Sequence, residues 1–193
     1  MSMGLDGIRP HPGFYARVWP RTVLPVNTVR VWWCNQSDCW AVERPANLVI
    51  GKRTVPPPNA QKGVGEARKR VGEVRVGDVT VHRVNKKIMA VSLATTNGQY
   101  YQNLPDIGPK PYGSGWCFKA QYFDLVQPIP VDYVRQPIVE LLRKEGRIEN
   151  FAFQGPKNKQ PGKLLQVYFL IFSLAGLQVV KNASDVEWPE WVP

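Results

Sequence analysis

The residues of this chain best equipped for chemistry are gathered in one stretch, Val29-Arg30-Val31-Trp32-Trp33-Cys34-Asn35-Gln36, followed by Ser37, Asp38, Cys39 and Trp40. Its β-branched and aromatic composition predicts a strand. Alternation along that strand puts Val31, Trp33 and Asn35 on one face and Arg30, Trp32, Cys34 and Gln36 on the other. One face therefore carries an indole beside an amide. In a core that pairing requires partners for the amide, whereas in a pocket it can stack on a flat ring and hydrogen-bond the ring's edge. On these residues alone both readings stand.

Other chemistries are thinly provided for. Cys34, Cys39 and Cys117 are few and odd in number, which speaks against a disulfide scaffold and suits a reducing compartment. A zinc ion held by Cys34 and Cys39 needs two more ligands, and His11, His82 and Cys117 are widely scattered. No motif places a cysteine beside His82 for nucleophilic work. Gly63, Gly65 and Gly72 are not followed by the Gly-Lys-Ser/Thr of a phosphate-cradling loop. Asp78, Asp124 and Asp132 lack partners for a metal-dependent nuclease, and Ser92 and Ser173 lie in strand-like segments without a nucleophile elbow. These absences support no enzyme class, and neither a metal nor a cofactor is expected.

Binding of flat, anionic ligands is better served. The 193 residues include seven Trp and seven Tyr, and Lys+Arg 25 against Asp+Glu 15 leaves a net charge of +10. Trp33, Trp40, Trp116, Tyr100, Tyr101 and Tyr122 lie in or beside predicted β segments. Aromatic planes for stacking, with cations nearby for phosphates, are the physical requirement for holding a nucleobase outside a helix. The cations come as Lys52/Arg53, Arg68/Lys69/Arg70 and Lys157/Lys159/Lys163, each of which serves equally well as an ordinary solvated face. The positive excess attracts nucleic acid or an anionic membrane surface. No run of 18 apolar residues spans a bilayer, and Met1–Arg9 has no hydrophobic signal core, so a cytoplasmic protein is expected.

The elements that must position these side chains follow from local pattern. Residues 1–27 are interrupted by Gly and Pro and read as an irregular arm. After the first strand, Asp38–Asn47 suits a short helix ending near Pro45. Residues 51–75, with Pro56-Pro57-Pro58 and seven Lys/Arg, read as a long basic surface loop. Val74–Val84 and Ile88–Ala94 alternate around Asn85-Lys86-Lys87 as a hairpin. A polar connection, Thr95–Gly115, leads to a strand over Trp116–Leu125 that Pro128 and Pro130 should end. An amphipathic helix is expected to begin at or just after Pro137 and to stop at Gly146. Phe151–Gly162 reads as a loop, Lys163–Ser173 as the most apolar strand, and residues 182–193 as a Trp/Pro tail or linker. Without a repeated βαβ pattern, this order favours an α+β fold with a mixed, largely antiparallel sheet curved like a barrel, with flanking helices.

Several of these segments together carry a resemblance. Val31-Trp32-Trp33-Cys34-Asn35-Gln36, Val76-Gly77-Asp78-Val79 leading into His82–Ser92, Gly115-Trp116 with Tyr122-Phe123-Asp124-Leu125, Phe153–Lys159 and Gln166–Leu170 resemble the EVE-type branch of the PUA-like superfamily. Within it the chain is most similar to the amino-terminal readers of McrB-type restriction GTPases, and the YTH readers of N6-methyladenine share the strand order. The resemblance covers about residues 29–175. It implies a PUA-like domain over residues 28–181, a curved barrel-like sheet, and an aromatic cage for a modified base flipped from duplex DNA, where stacking offsets the few kcal/mol of extrusion. Carried over, the cage would be built from Trp33, Asn35, Gln36, Trp40, Ser92, Trp116 and Tyr122. Phosphates would meet Lys52, Arg53, Arg68, Lys69, Arg70, Lys157, Lys159 and Lys163. Where related readers often place a Trp after the first helix, this chain has Leu48-Val49-Ile50-Gly51, so the cage must be completed elsewhere. The implied role is a non-enzymatic DNA-binding domain of a modification-dependent restriction system in the prokaryotic cytoplasm, associated with the nucleoid. It would read N6-methyladenine in preference to 5-methylcytosine and work with a GTPase and a McrC-like nuclease. An RNA-binding PUA-like module, or a protein-interaction or small-ligand domain with purely structural aromatics, are the alternatives.

Overall fold

A computed structural model of the chain describes residues 29–36, 39–52, 68–108, 113–144 and 168–193. Seven strands form one sheet: β1 (Val31–Asn35), β2 (Leu48–Lys52), β3 (Val79–Val84), β4 (Lys87–Ala94), β5 (Gln99–Tyr101), β6 (Gly115–Pro130) and β7 (Phe169–Phe172). Their order is β2-β6-β4-β3-β1-β7, with β5 also paired to β6. β1 runs parallel to β3, and every other pairing is antiparallel. The sheet is strongly curled into a half-barrel and flanked by three helices, α1 (Trp40–Glu43), α2 (Val131–Lys144) and α3 (Leu174–Asn182). This is the expected α+β architecture.

Alternation along β1 divides the interior in two. Val31 and Trp33 join the core beneath the long helices, with Val79, Val81 and Val91 from the sheet, Ile138 and Leu142 from α2, and Leu177 and Val180 from α3. Trp32 and Cys34 face the other way, into a second cluster with Val49, Phe118, Ala120 and Phe169. Both faces of β1 are buried, so it holds the two layers together. Its entry is fastened by buried Asp78, whose carboxylate accepts from Trp32 Nε1 at 3.0 Å, from the Arg75 backbone at 2.9 Å and from Arg30 Nη2 at 2.7 Å.

The hairpin falls where expected and closes through Asn85 and Lys86, both at positive φ (47° and 67°), as a two-residue turn of the primed type requires. Other boundaries moved. β6 runs on past Leu125 and through Pro128, and ends at Pro130. Between the pairs Ala90–Asp124 and Ile88–Ile129 the register shifts, so Leu125–Pro128 opposes only Met89. A proline is harmless in such an irregularity because no ladder partner is waiting for its missing N–H. α2 starts at Val131, six residues before Pro137, which lies inside it. The freed carbonyl belongs to Tyr133, which is 74 % exposed, so water can take the place of the lost donor. β2, β5, α3 and a 3-10 turn at Arg70–Glu73 were not foreseen. α3 opens with the Ser173 side chain accepting from the Gly176 backbone at 2.8 Å, a cap signal overridden in the sequence by the apolar run preceding it. The expected stop at Gly146, the loop Phe151–Gly162, the arm 1–27 and most of residues 51–67 lie outside the described residues.

In the segment after α3, Trp188 meets Phe123 and Val192 is buried in the helix-side core. Among the described residues no helix is long and apolar enough to cross a membrane.

Candidate nucleic-acid interface

Four of the seven side chains expected in the cage meet at one place, around a residue the sequence had not singled out for it. β3 turns Thr80 and His82 to the same side as Trp32 and Cys34, because β1 and β3 are parallel with Trp32 opposite Thr80 and Cys34 opposite His82. Across the hairpin, Thr80 faces Ser92, which in turn faces Tyr122 on β6. The short α1 then folds back after β1 and brings Trp40 over the group. The His82 and Tyr122 rings lie 4.7 Å apart, Trp40 and His82 5.9 Å, and Trp40 meets Tyr122 edge-on at 5.8 Å. Trp40 and Tyr122 are partly exposed, whereas His82, Gln36 and Ser92 are buried.

The buried polar groups form a continuous chain. Ser92 Oγ lies 2.7 Å from His82 Nε2, and His82 Nδ1 meets Gln36 Oε1. Gln36 Nε2 donates to Glu43 Oε2 at 2.6 Å, and Tyr168 donates to the same oxygen at 3.0 Å. With the Gln36 oxygen turned to His82, its Nδ1 must donate and Nε2 must accept from Ser92, which fixes a neutral tautomer. Burial, reinforced by the Arg44 cation, lowers the His82 pKa to about 3. Burial has the opposite effect on Glu43 and raises its carboxyl to about 7, against the hydrogen bonds from Gln36, Tyr168 and Ile50. Such a network is worth having only when its members are satisfied, and these are. Tyr122 is held by donating to the Leu48 carbonyl at 2.9 Å.

A cation closes one side. The Arg44 guanidinium sits 4.9 Å from the Tyr122 ring centroid and forks onto Asp124 at 2.8 and 2.5 Å. Arg68 approaches the Tyr168 ring at 6.0 Å. Partly exposed aromatic rings over the hydrogen-bonded chain from Ser92 to Glu43 can offer a stacking surface to a flat heterocycle, while the buried Thr80 hydroxyl beside Ser92 has no partner.

The remaining expectations divide. Trp33 does not wall this site: it is 0 % exposed, its ring lies 5.2 Å from Phe172, and it belongs to the helix-side core. Asn35 shares that opposite face, where its Oδ1 accepts from Trp33 Nε1 at 3.2 Å and from Arg83 Nη1 at 3.1 Å. The indole and amide singled out first thus satisfy one another structurally. The aromatic group of Trp40, His82 and Tyr122 gathers on the other face of β1, that of Cys34 and Gln36. Trp116 lies away from the group, beside Tyr100 and the 3-10 turn. Lys52, Arg68, Lys69 and Arg70 are described, and Arg68 Nη1 donates to the Lys52 carbonyl at 3.3 Å. Arg53, Lys157, Lys159 and Lys163 lie outside the described residues. His82 and Glu43 were missed. For His82, the signal was its shared strand parity with Thr80; for Glu43, one carboxylate in a four-residue helix offers none.

Cys34 and Cys117 are buried, and burial pushes the Cys117 thiol up to about 12 and the Cys34 thiol up as well, which makes both poor nucleophiles.

No protein-family model matches the sequence, and neither does any curated protein. Solved structures do resemble the chain. They include the NMR structure of Rpa0253 from Rhodopseudomonas palustris (12 % identity, 81 % of this chain and 93 % of that one, TM-score 0.45). Protein Atu2648 from Agrobacterium tumefaciens is similar over 80 % of this chain and 93 % of its own, at 9 % identity and TM-score 0.45. A YTH domain is among them. It is that of Pho92, solved in complex with m6A, at 15 % identity over 66 % of this chain and 76 % of that domain, with TM-score 0.40. These are likenesses of chain path, and the chemistry of the present site stands on its own side chains.

Proposed function

We propose that this chain is a non-enzymatic reader of a methylated nucleobase, taken from duplex DNA and held against Trp40 and Tyr122 over the Gln36–His82–Ser92 floor. The observation that carries this reading is the convergence of Trp40, Tyr122 and His82 within 6 Å of one another above a buried polar chain that leaves no member idle. Holding a base outside its stack costs a few kcal/mol, and aromatic stacking contributes about 1–3 kcal/mol per base in return. A methyl group adds a small apolar contact. The net charge of +10 supplies the non-specific attraction to phosphate. In this reading N6-methyladenine is the favoured base and 5-methylcytosine the next, and the domain directs a McrB-type GTPase and its McrC-like nuclease to modified DNA. The support for the base and the partners is the order of motifs shared with those readers.

The experiment is a titration of four duplexes, carrying adenine, N6-methyladenine, cytosine or 5-methylcytosine, with competition by single-stranded RNA. A methylated duplex is expected to bind tightest. Trp40→Ala should abolish that preference, leaving weak binding that falls with salt. Equal affinity for all four duplexes, or a preference untouched by Trp40→Ala, would overturn the proposal, and tighter binding of the RNA would replace duplex DNA as the ligand.

A further inference from the structure

Trp116 leaves the base pocket but not the aromatic business of the fold. It lies six residues before Tyr122 on the same face of β6, at most about 20 Å away along the strand, and a second binding surface is assembled there. Tyr100 on the short edge strand β5 is its cross-strand partner, and their rings meet edge-on at 5.2 Å. All three residues of β5 are exposed, and Tyr100 is 41 % accessible. Beside the pair opens a polar cleft of about 530 Å³, lined by Arg30, Gly72, Glu73, Val74, Arg75, Asn97 and Gly98.

Two glycines create this geometry. A side chain at Gly72 would come within 2.5 Å of Trp116 Cδ1, and one at Gly98 within 1.9 Å of the Val71 carbonyl oxygen. Without side chains, the 3-10 turn closes onto the indole and β5 closes onto the turn. The turn carries Arg70, follows Lys69 and leads into Arg75; Lys69 and Arg75 are exposed. Arg30, which also lines the cleft, is engaged by Asp78 and the Glu73 carbonyl, and Glu73 adds a carboxylate to the same lining. An accessible ring near a polar cleft lined by the exposed Arg75 has the chemistry of a site for an unpaired base and a flanking phosphate.

We infer that Tyr100, backed by Trp116 and near the cleft that Arg75 lines, is a stacking site for single-stranded nucleic acid, separate from the base site proposed at Tyr122. It requires no modification on the ligand and does not depend on the methyl-reader proposal. The test uses a fluorescein-labelled, unmodified oligodeoxythymidylate about a dozen nucleotides long, with anisotropy followed from about 50 to 200 mM salt. Tyr100→Ala, on an exposed edge position, should weaken binding about tenfold at every salt concentration, whereas Tyr100→Phe, which keeps the ring, should stay within about twofold of the wild type. Arg75→Ala should flatten the salt dependence by roughly 0.7 in log–log slope. Tyr100→Ala should retain whatever methyl preference the wild type shows toward duplexes, so the two proposals fail independently. Absence of binding by the wild type, unchanged affinity in Tyr100→Ala, or equal losses in the Ala and Phe variants would overturn the inference.

Discussion

Trp33 and Trp40 are seven positions apart and chemically identical, yet they are expected to answer substitution in opposite ways. Trp33 fills the helix-side core with no exposure. Trp33→Ala should therefore cost about 3–5 kcal/mol of stability, read as an earlier denaturation midpoint, because the emptied volume cannot fully collapse. Among the molecules that remain folded, any preference between methylated and plain duplex should be unchanged. Trp40 is partly exposed and touches His82 and Tyr122 by its edge, so its loss should spare most of the stability and remove the preference. A Trp33→Ala protein that is as stable as wild type would show the burial assignment to be wrong.

At the level of elements, the hairpin β3–β4 sets the floor beneath Trp40 and Tyr122, since its register puts Thr80 opposite Ser92 and His82 two residues on. Its turn is closed at a cost. Lys86 adopts φ 67°, a left-handed conformation that is strained by about 1–2 kcal/mol for a residue with a Cβ. Lys86→Gly should relieve that strain and raise stability by roughly 1 kcal/mol after the added freedom of the unfolded chain is counted. The Lys86 carbonyl, which accepts from the Val131 backbone at 2.9 Å at the start of α2, is retained in the variant. A fall in the urea midpoint of Lys86→Gly would contradict this account of the turn. β6 matters for a different reason: one strand carries both Tyr122 of the proposed base site and Trp116 of the proposed stacking surface, so the six residues between them fix how far apart the two lie.

For the molecule as a whole, the buried pair of titrating groups predicts how stability follows pH. Glu43 holds its proton to about pH 7 in the folded chain but only to 4.5 when unfolded, so its contribution is fully present below pH 4.5 and is lost as pH rises through 7. His82 behaves conversely. Its folded pKa is about 3 against 6.5 unfolded, so its contribution is present above pH 6.5 and lost as pH falls through 3. Between pH 4.5 and 6.5 the folded chain carries the proton on Glu43 and the unfolded chain on His82, so the two slopes cancel and these residues contribute a plateau. Glu43→Gln removes one side of that balance. Its stability should fall on acidification from pH 6.5 to 4.5 by about 1.4 kcal/mol per pH unit, or roughly 3 kcal/mol in all, relative to wild type. Chemical denaturation of both proteins across that range checks the sign. Parallel profiles would show that Glu43 does not hold its proton near neutrality.

The sequence by itself determined the fold class, the place of the hairpin and the alternation of β1, because strand parity and turn residues are local properties; that the turn has two residues, with Lys87 already paired to Val84, came from the structure. Which side of β1 would face the pocket was decided only in three dimensions. One face carries Trp33 with Asn35 two positions on and the other carries Trp32 with Cys34 and then Gln36, and the choice depended on where α2 and α3 came to lie. The helices cover Trp33 and leave Gln36 to meet His82. Tertiary structure also decided the roles of His82 and Glu43, since Gln36 reaches His82 across 46 positions and Tyr168 reaches Glu43 across 125. It also set Trp116, six residues before Tyr122 on β6, against Tyr100 of β5 and the 3-10 turn, partners that come from other segments of the chain. The prolines at 128 and 137 misled for a related reason. Their missing donors matter only where a partner is waiting, and a register shift in one case and exposure to water in the other removed that requirement.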